Sequence, residues 1–339
     1  MRGRAPVTLG VLVPCRNEAR VIERRLRNLL ASAWPEAEGA HELLVIDDGS
    51  TDETARLAAE ALSAADSTAL KAAVLKSTLH PGKNGAIRAG LERLSGEVDV
   101  VVLTDADVVT DPGALMAIAE AFAKEPMLGM ASGVQCLHSS LPSDGSAPAG
   151  ETAMGLYDTW TRRVRRAESR RGRLFSVHGQ LLAWRPELGL KPAELIADDL
   201  ELMLELRRRH PAHTVRMIEG ARFHEVRSTE RSAQDLRRAR AYLQATPHMD
   251  SPTLGLQGWL YRRLPPNAPA LGLLALALSG AAAWAGWGAL GLVSLAAVTG
   301  LLLAHPAVRR AASLLWVIQR ARHTPRAGGR ALTWETPRA

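Results

Sequence analysis

The chain has 339 residues, with 42 Lys and Arg against 35 Asp and Glu, so its formal net charge is +7. A hydrophobic fraction of 47% excludes global disorder, and two cysteines are too few for a disulfide framework or a zinc cluster. Five of the eight tryptophans lie in or around a long apolar stretch near the C-terminus rather than among the basic residues. This distribution argues against nucleic-acid binding and favours a membrane as the partner of the basic charge.

The N-terminal part of the chain, residues 1–260, is expected to remain in the cytosol. Arg2 and Arg4 are followed by a mostly apolar segment, 7–13, that is too short for the core of a secretory signal. The same segment reads as the first of several buried strands, which alternate with helical patterns. This alternation predicts an α/β fold in which a parallel sheet carries helices on both faces.

The predicted elements follow one another closely along this part of the chain. The predicted strands are 7–13, 43–46, 72–75, 98–103 and 128–134. The predicted helices are 18–31, 52–65, 85–94 and 111–122. We expect Ser50 or Thr51 to cap the second helix and Asp111, followed by Pro112, to cap the fourth. The polar segment 139–150 is expected to form a loop.

A basic helical pattern follows at 155–173. It contains seven arginines against two acidic residues. Two interpretations stay open. The arginines can form a solvated helix face, or they can face anionic lipid headgroups, where each contributes about 1 kcal/mol of attraction.

The apolar stretch at 264–308 contains no Lys, Arg, Asp or Glu. A membrane span takes about 20 apolar residues, so this stretch is too long for one span and about right for two. The segment 286–288, Gly-Trp-Gly, divides it near the middle. Arginines flank both ends of the stretch, which places both ends in the cytoplasm and requires an even number of spans.

These patterns predict four regions. They are a catalytic α/β domain at 1–230, an interfacial helical linker at 231–265, a transmembrane helical hairpin at 266–306 and a cytoplasmic end at 307–339. Within the last region, 308–318 is expected to be an interfacial amphipathic helix, and the tail after Thr324 is expected to be disordered. The chain is therefore predicted to be a cytoplasmic membrane protein with its catalytic domain in the cytosol.

Four polar clusters follow predicted strands or open a predicted helix, and open α/β sheets bind their ligands at such strand ends. Each cluster by itself is compatible with a turn or a helix cap. The clusters are Pro14-Cys15-Arg16-Asn17-Glu18, Asp47-Asp48-Gly49-Ser50-Thr51-Asp52, Thr104-Asp105-Ala106-Asp107 and Asp198-Asp199.

Two of these clusters suggest specific chemistry. Asp105 and Asp107 are two residues apart in an extended segment, so both can reach one ligand, and one can hold Mg²⁺ or Mn²⁺ against diphosphate oxygens. Asp198 and Asp199 open a helix, whose N-terminus stabilises carboxylates. A carboxylate fixed there beside a substrate is suited to act as a general base.

Together with a Lys-x-Gly segment at Lys83, these motifs in this order resemble the family 2 glycosyltransferases over about residues 7–225. Members of that family have the GT-A fold, which is Rossmann-like, and use nucleotide-diphosphate sugars. By this resemblance, the residues expected to bind the donor are Pro14, Glu18, Asp47, Asp48, Lys83 and Asp105. The residues expected on the acceptor side are Gly179, Gln180 and Asp198.

The resemblance also implies a metal ligand and a base. Asp107 matches the ligand of a divalent metal, Mg²⁺ or Mn²⁺, and Asp199 matches the catalytic base. His224 matches a histidine at the end of the catalytic domain, as a candidate contact to metal or phosphate. One base without an enzymic nucleophile predicts inversion at the anomeric carbon, since no second carboxylate is available for a glycosyl-enzyme intermediate.

One departure from the family separates two possible functions. Processive polysaccharide synthases of this family carry Gln-x-x-Arg-Trp, whereas this chain has Gln-Asp-Leu-Arg-Arg at 234–238. We therefore expect a single transfer to a hydroxyl or phosphate of a lipid-linked or membrane-embedded acceptor. A processive polysaccharide synthase, a nucleotidyltransferase and an inactive membrane scaffold are the alternatives. Pocket shape, which no motif records, selects the sugar, the nucleotide base and the acceptor.

Overall fold

The computed structural model describes residues 7–63, 69–77, 81–94, 96, 98–150, 156–192, 197–226, 231–304, 316–317 and 320–321. These residues fall into two compact units. The first takes in the described residues of Met1–Ala153 and Arg162–Ser228, and the second those of Met154–Thr161 and Thr229–Arg326.

The first unit is built on one eight-stranded mixed sheet. Its strands are β1 (Leu9–Cys15), β2 (His41–Asp47), β3 (Leu70–Lys76), β4 (Val100–Thr104), β5 (Val109–Thr110), β6 (Leu128–His138), β7 (Leu181–Trp184) and β8 (Thr214–Val226). Their order across the sheet is β3-β2-β1-β4-β7-β6-β8-β5. The helices before residue 210 are α1 (Ile22–Leu30), α2 (Thr54–Leu62), α3 (Lys83–Arg93), α4 (Ala114–Lys124), α5 (Leu156–Arg170) and α6 (Asp198–Arg209).

The predicted parallel sheet is confirmed for six of the eight strands, because β6 and β8 run in the same direction as β1, β2, β3 and β4. It is wrong for β5 and β7, which run in the opposite direction. Strands β3, β2, β1 and β4 are parallel neighbours. Strand β7 then runs antiparallel to both β4 and β6. The four residues of β7 are buried and apolar, and such a short run does not reveal its direction in the sequence.

Burial explains why the central strands are continuous apolar runs. All residues of β1, β2 and β4 are buried, as expected for parallel strands covered on both faces. Strand β3 lies at the edge of the sheet, and its residues are partly exposed. The core packs α1 and α4 against these strands through large side chains such as Leu26, Leu29 and Phe122.

Two predicted helix starts are displaced by polar contacts. Helix α1 begins at Ile22 rather than at Glu18, because Asn17 has a φ of 55° and the Glu18 N–H donates to Thr54 Oγ1 at 2.8 Å. Helix α2 begins at Thr54, and neither Ser50 nor Thr51 caps it. The Asp52 carboxylate accepts the Thr54 N–H at 3.0 Å instead.

The predicted cap at Asp111 is also wrong. Helix α4 begins at Ala114, and the residue before it, Gly113, makes no side-chain cap. The Asp111 carboxylate contacts the His224 ring instead, with 2.7 Å between Oδ1 and Nε2. The Asp111 side chain, which the sequence assigns to a helix cap, therefore contacts strand β8 instead.

The polar loop at 139–150 is seated on helix α1. Gly145 has a φ of 87°, and a Cβ added there would lie 2.6 Å from the carbonyl oxygen of Arg24. Asp144, beside it, accepts the Ser146 N–H at 2.9 Å. This position therefore needs a glycine for its backbone conformation and for its close approach to the helix.

Several arginines of the basic pattern make structural contacts. Arg165 is buried, and its Nε donates to the Ser176 carbonyl at 2.9 Å. Arg162 donates to the Gln135 carbonyl at 3.0 Å, and Arg166 pairs with Glu219 through two bonds of 2.8 and 3.0 Å. The other four arginines of the pattern are exposed, namely Arg163, Arg170, Arg171 and Arg173. For these exposed arginines the choice between solvent and an anionic surface stays open.

The second unit contains helix α7 (Arg231–Ala245) and the long helical segment α8 (Gly255–Ala304). Gly288 interrupts α8 with non-helical angles, φ 57° and ψ −137°, within the break predicted at 286–288. Among the described residues, one segment is long and apolar enough to cross a membrane, Leu276–Thr299, with a mean hydropathy of 1.6. The predicted amphipathic helix at 308–318 and the tail after Thr324 lie outside the described residues, apart from 316–317.

Candidate active site

The ends of β1 and β2 bring the first two polar clusters together. These strands are parallel neighbours, with Cys15 in register with Asp47. The Asp48 N–H donates to the Cys15 carbonyl at 3.0 Å, which extends the pairing one residue beyond the strands. Glu18, Asp47 and Asp48 are all buried here.

Side-chain bonds join the two loops that follow these strands. The Asp47 carboxylate accepts the Ser50 N–H at 3.2 Å and also the Ser50 hydroxyl. The Ser50 oxygen accepts the Asn17 N–H at 3.0 Å, and Asn17 Oδ1 accepts the Thr51 N–H at 2.8 Å. Asn17 tolerates its left-handed backbone better than most residues do. Ser50 and Thr51 therefore shape the site instead of capping a helix.

Asp48 connects this region to helix α3. Its Oδ2 accepts the Gly82 N–H at 2.7 Å and lies 3.9 Å from Arg16 Nη1. Gly82 has a φ of 117° and immediately precedes Lys83, the first residue of α3. The position of Lys83 therefore depends directly on the Asp48 carboxylate.

Lys83 joins two carboxylates that are far apart in the sequence. Its Nζ lies 2.9 Å from Asp105 Oδ1, at the end of β4, and 3.2 Å from Asp198 Oδ2, at the start of α6. The contact with Asp198 is an ion pair without hydrogen-bond geometry. Burial by itself lowers the pKa of Lys83. The carboxylates of Asp105, Asp198 and Asp199 raise it by more than this, so the pKa lies above its ordinary value and the ammonium stays charged.

Asp199 lies beside Lys83 and under the segment that precedes β7. Its Oδ2 accepts the Gly179 N–H at 3.1 Å, and its Oδ1 accepts the Leu200 N–H at 2.7 Å. A Cβ added to Gly179 would lie 3.4 Å from Asp199 Cβ and 3.6 Å from Lys83 Nζ. Gly179 therefore borders the space above the carboxylates, and glycine keeps that space open.

The electrostatics of Asp199 suit a proton acceptor. Burial and the neighbouring Asp198 raise the pKa of Asp199 to about 6, although Lys83 and the two backbone N–H groups act in the opposite direction. A carboxyl with this pKa is mostly ionised at neutral pH. It is also a stronger base than an ordinary aspartate, because its pKa is closer to the working pH.

Asp105 and Asp107 have the donor chemistry of a site for a hard cation. Both offer carboxylate oxygens at the end of β4, and the main chain at Asp107 is held by Arg24, whose Nη2 donates to its carbonyl at 3.2 Å. No group of three His, Cys, Asp or Glu suited to a metal occurs among the described residues. Two carboxylates suit Mg²⁺ or Mn²⁺ by their oxygen chemistry, since these ions need few protein ligands when phosphate oxygens and water complete their shell.

The remaining candidate residues have different surroundings. The Gln180 carbonyl accepts the Thr104 hydroxyl at 2.8 Å, which ties the acceptor-side segment to β4. Pro14 is buried inside β1 and acts through its backbone position. His224 is almost fully buried, with Nε2 2.7 Å from Asp111 Oδ1 and Nδ1 2.9 Å from His138 Nε2. Both of its ring nitrogens are thus engaged apart from the carboxylate cluster.

The cysteine beside the cluster is not suited to act as a nucleophile. Cys15 is fully buried, and burial together with Asp47 and Glu18 strongly raises the pKa of its thiol. The nucleophilic form of cysteine is the thiolate, which this environment disfavours.

Sequence reasoning missed two groups in this region. Asn17 was recognisable only as part of a motif, although asparagine is one of the few residues found at a left-handed position. Arg25, on α1, is fully buried below the β4 end. A local signal was present, because Arg25 follows Ile22 by three residues and precedes Leu29 by four, which places it on the apolar face of α1.

The chain resembles known proteins over most of the first unit. The profile of the family described as glycosyltransferase-like family 2 matches residues 6–243. A poly-β-1,6-N-acetyl-D-glucosamine synthase from Staphylococcus epidermidis is 25% identical over 202 residues, 58% of this chain and 45% of the relative. A β-monoglucosyldiacylglycerol synthase from Trichormus variabilis is 34% identical over 111 residues, 33% of this chain and 23% of the relative. The chain therefore spans less than half the length of these curated relatives.

A solved structure shares the architecture. A mannosyltransferase from Pyrobaculum calidifontis, in complex with GDP-Man and Mn²⁺, superposes with a TM-score of 0.68 at 23% identity. The match covers 94% of this chain and 88% of that one, so the mixed α/β unit has the Rossmann-like GT-A fold. The family profile covers more than half of the sequence, so the chain belongs to the glycosyltransferase-like family 2.

Proposed function

We propose that the protein transfers a sugar, with inversion, from a nucleotide-diphosphate sugar to a hydroxyl or phosphate of a lipid-linked or membrane-embedded acceptor. The observation that carries this proposal is the position of Lys83 between Asp105 and Asp198, at 2.9 and 3.2 Å. One cation thereby connects the donor side of the site, at the β4 end, with the proposed base at the start of α6.

The donor side of the proposed site is formed by the ends of β1 and β2. The buried carboxylates Glu18, Asp47 and Asp48 offer acceptors for the N–H groups of a base and the hydroxyls of a ribose. Pro14 shapes the edge of this surface, and Asp105 lies where the ribose passes toward the diphosphate. Lys83 supplies a positive charge for the diphosphate oxygens.

Asp107 is the proposed metal ligand, with Asp105 as its neighbour. When bound, Mg²⁺ or Mn²⁺ neutralises the charge that develops on the departing diphosphate. The mannosyltransferase of the same fold was solved with GDP-Man and Mn²⁺, which supports this assignment. Arg24 and the buried Thr104 hold the segment from the protein side.

Asp199 is the proposed general base. The acceptor oxygen attacks the anomeric carbon and loses its proton to the Asp199 carboxylate, while the bond from that carbon to the diphosphate oxygen breaks. The raised pKa of Asp199 favours this proton transfer, and its bonds to the Gly179 and Leu200 N–H groups fix its orientation. Attack opposite the leaving group, with one displacement, inverts the configuration.

Gly179, Gln180 and Asp198 are the proposed acceptor-side residues. A lipid acceptor agrees with the apolar segment Leu276–Thr299 and with the glycolipid named in one relative, a monoglucosyldiacylglycerol. The second candidate is a processive polysaccharide synthase, which the poly-N-acetylglucosamine synthase relative favours. The arginine at 238 in place of tryptophan argues against it.

We propose further that the apolar stretch forms two spans, following the predicted regions 1–230, 231–265, 266–306 and 307–339. Two distances support this proposal. A Cβ added at Gly280 would lie 3.9 Å from Leu292 and 4.0 Å from Leu295, although a straight helix separates residues 280 and 292 by about 18 Å. A reversal of the chain at Gly288, where the backbone is non-helical, accounts for these distances. A reporter inserted after Gly286 is expected outside the cytosol, and reporters at both termini inside. A C-terminal reporter found outside would reduce the hairpin to one span.

The proposal is tested by a donor screen on the full-length protein in membranes. Nucleotide sugars are supplied one at a time, and lipid extracts are analysed by mass spectrometry for a mass increase of one sugar, with and without EDTA. A single added sugar that disappears with EDTA supports the proposal. Products with many sugars favour the processive synthase. A soluble product, or transfer that EDTA leaves unchanged, contradicts the lipid acceptor or the metal respectively.

A further inference from the structure

Arg25 lies fully buried directly below the Asp105–Asp107 segment. Its Nη2 donates to Thr104 Oγ1 at 2.6 Å, and its Nη1 donates to Thr110 Oγ1 at 3.3 Å. Thr104 precedes the Asp105–Asp107 segment and Thr110 follows it, so the Arg25 guanidinium forms hydrogen bonds on both sides of this segment. Nη1 also donates to Asn28 Oδ1 at 2.6 Å.

Asn28 strengthens this arrangement from the same helix. Its Nδ2 donates to the Thr110 carbonyl at 2.9 Å, and its Oδ1 accepts the Thr110 N–H at 2.9 Å. Helix α1 therefore holds the far end of the segment through Asn28 and both ends through Arg25. Arg24, next to Arg25, holds the carbonyl of Asp107.

The hydrogen-bond partners of Arg25 are neutral groups, which do not offset the large cost of burying a charge. Its Nε has no hydrogen-bond partner among the described residues. Burial lowers the pKa of Arg25 to about 9, while Asp105 and Asp107 raise it. The two carboxylates therefore stabilise the charge on the buried guanidinium.

We propose that Arg25 is a positioning residue that serves as the internal counter-charge of the Asp105–Asp107 pair. Two carboxylates two residues apart repel each other, and a positive charge in the core beside them offsets this repulsion before a cation arrives. Lys83 also pairs with Asp198, and the proposed function assigns its charge to the diphosphate. Arg25 is fully buried in the core, so its charge stays beside the segment whether or not donor is bound.

This inference rests on the proposed metal site, and it makes a prediction that a purely structural role does not make. If Arg25 supplies charge, a divalent cation bound from the solvent side replaces part of what a neutral variant loses. If Arg25 only fills space and bonds the two threonines, a cation leaves the loss unchanged.

The test is the melting temperature of the full-length protein in detergent, in EDTA and in Mn²⁺. Arg25→Met is expected to melt lower than wild type in EDTA, and the gain from Mn²⁺ is expected to be about twofold larger than in wild type or more. Arg25→Lys keeps the charge, and Thr110→Val removes one hydroxyl but leaves the guanidinium. Both controls are expected to lower the melting temperature with a Mn²⁺ gain like that of wild type.

A double variant keeps the inference falsifiable if Arg25→Met does not fold alone. Adding Asp107→Asn removes one repelling charge, so the double variant is expected to melt higher than Arg25→Met, or to fold where the single variant does not. Equal Mn²⁺ gains in Arg25→Met and Thr110→Val, or a double variant no better than the single one, would overturn the counter-charge.

The proposed metal site fails in a different way. In that case wild type shows no gain from Mn²⁺, whereas the comparison of the double variant with Arg25→Met in EDTA still decides the role of Arg25.

Discussion

Two Asp-Asp pairs in this molecule look alike in the sequence and have different surroundings. Asp47-Asp48 ends strand β2, and each carboxylate there accepts a backbone N–H, from Ser50 and Gly82 respectively. Asp198-Asp199 opens helix α6, where Asp198 forms an ion pair with Lys83 and the pKa of Asp199 is raised.

The difference teaches how one dipeptide serves two purposes. Backbone donors hold Asp47 and Asp48 in place as acceptors for a ligand. Two carboxylates that share one lysine are unequal, because the charge on one makes the other easier to protonate. The first pair is suited to bind the donor and the second to move a proton. The predictions below test this division.

The largest effect is expected at the proposed cation site at the β4 end. Asp107→Asn removes a ligand charge at the β4 end, and stabilisation of several kcal/mol by the metal corresponds to a loss of about 10³-fold or more in transfer rate. Rates are measured with the donor identified by the screen, and circular dichroism checks the fold. Asp111→Asn is the control, since Asp111 contacts His224 instead. Retained activity in Asp107→Asn would remove the metal from this position.

The next largest effect separates the two members of the second pair. Asp199→Asn is expected to lower the transfer rate by about 10²-fold or more, the usual contribution of a positioned base, with donor binding near normal. Asp198→Asn is the matched comparison on the same helix start, since it removes the ion pair with Lys83 but keeps the proposed base. Cap or dipole effects, which both changes share, amount to under about 1 kcal/mol. A larger rate loss from Asp198→Asn would assign the base to that residue. A parallel loss of donor affinity would make Asp199 a donor ligand.

A smaller effect of the opposite kind is expected in the first pair. Asp48→Asn weakens the bond to the Gly82 N–H and removes a charge near Arg16, which costs about 1.5 kcal/mol, or about tenfold. The Michaelis constant for donor should rise by this factor while kcat stays within about threefold. A fall in kcat at unchanged Michaelis constant would show that the two pairs are not divided into binding and proton transfer.

The smallest effect concerns stability and its dependence on pH. The pKa of Asp199 is about 6 in the folded protein and about 3.9 when unfolded, so ionisation of Asp199 destabilises the fold as pH rises from about 4 to 6. Asp199→Asn removes this penalty of about 1–3 kcal/mol. It should melt a few degrees above wild type at pH 7.5, with the difference vanishing near pH 4. Equal melting temperatures of Asp199→Asn and wild type at both pH values would mean that ionisation of Asp199 does not destabilise the fold.

Much of the fold was predictable from local patterns. The strands at the positions of β1, β2, β4 and β6 were recognisable by their apolar runs, because strands buried on both faces are mostly apolar. The break at Gly288 was recognisable because glycine and its neighbours interrupt an apolar helix. The antiparallel direction of β7 was not recognisable, since the direction of a strand within a sheet depends on partners that are distant in the sequence.

The sequence by itself determined which residue types could do the chemistry. Paired carboxylates after strands, at Asp47 and Asp105, and at a helix start, at Asp199, are informative because the ends of elements are where a chain can present charge to a ligand. The family resemblance was carried by these same residues, and the family assignment agrees with it.

Only the tertiary structure decided which charges meet. Lys83 contacts Asp105, 22 positions away, and Asp198, 115 positions away. Arg25 is buried below the β4 end, where it contacts Thr104, 79 positions away. Capping rules assigned Ser50 and Asp111 to helices, but neighbouring loops and strands offered them closer partners. The physical reason is that Coulomb and hydrogen-bond energies depend on distance in space, whereas propensities are summed along the chain.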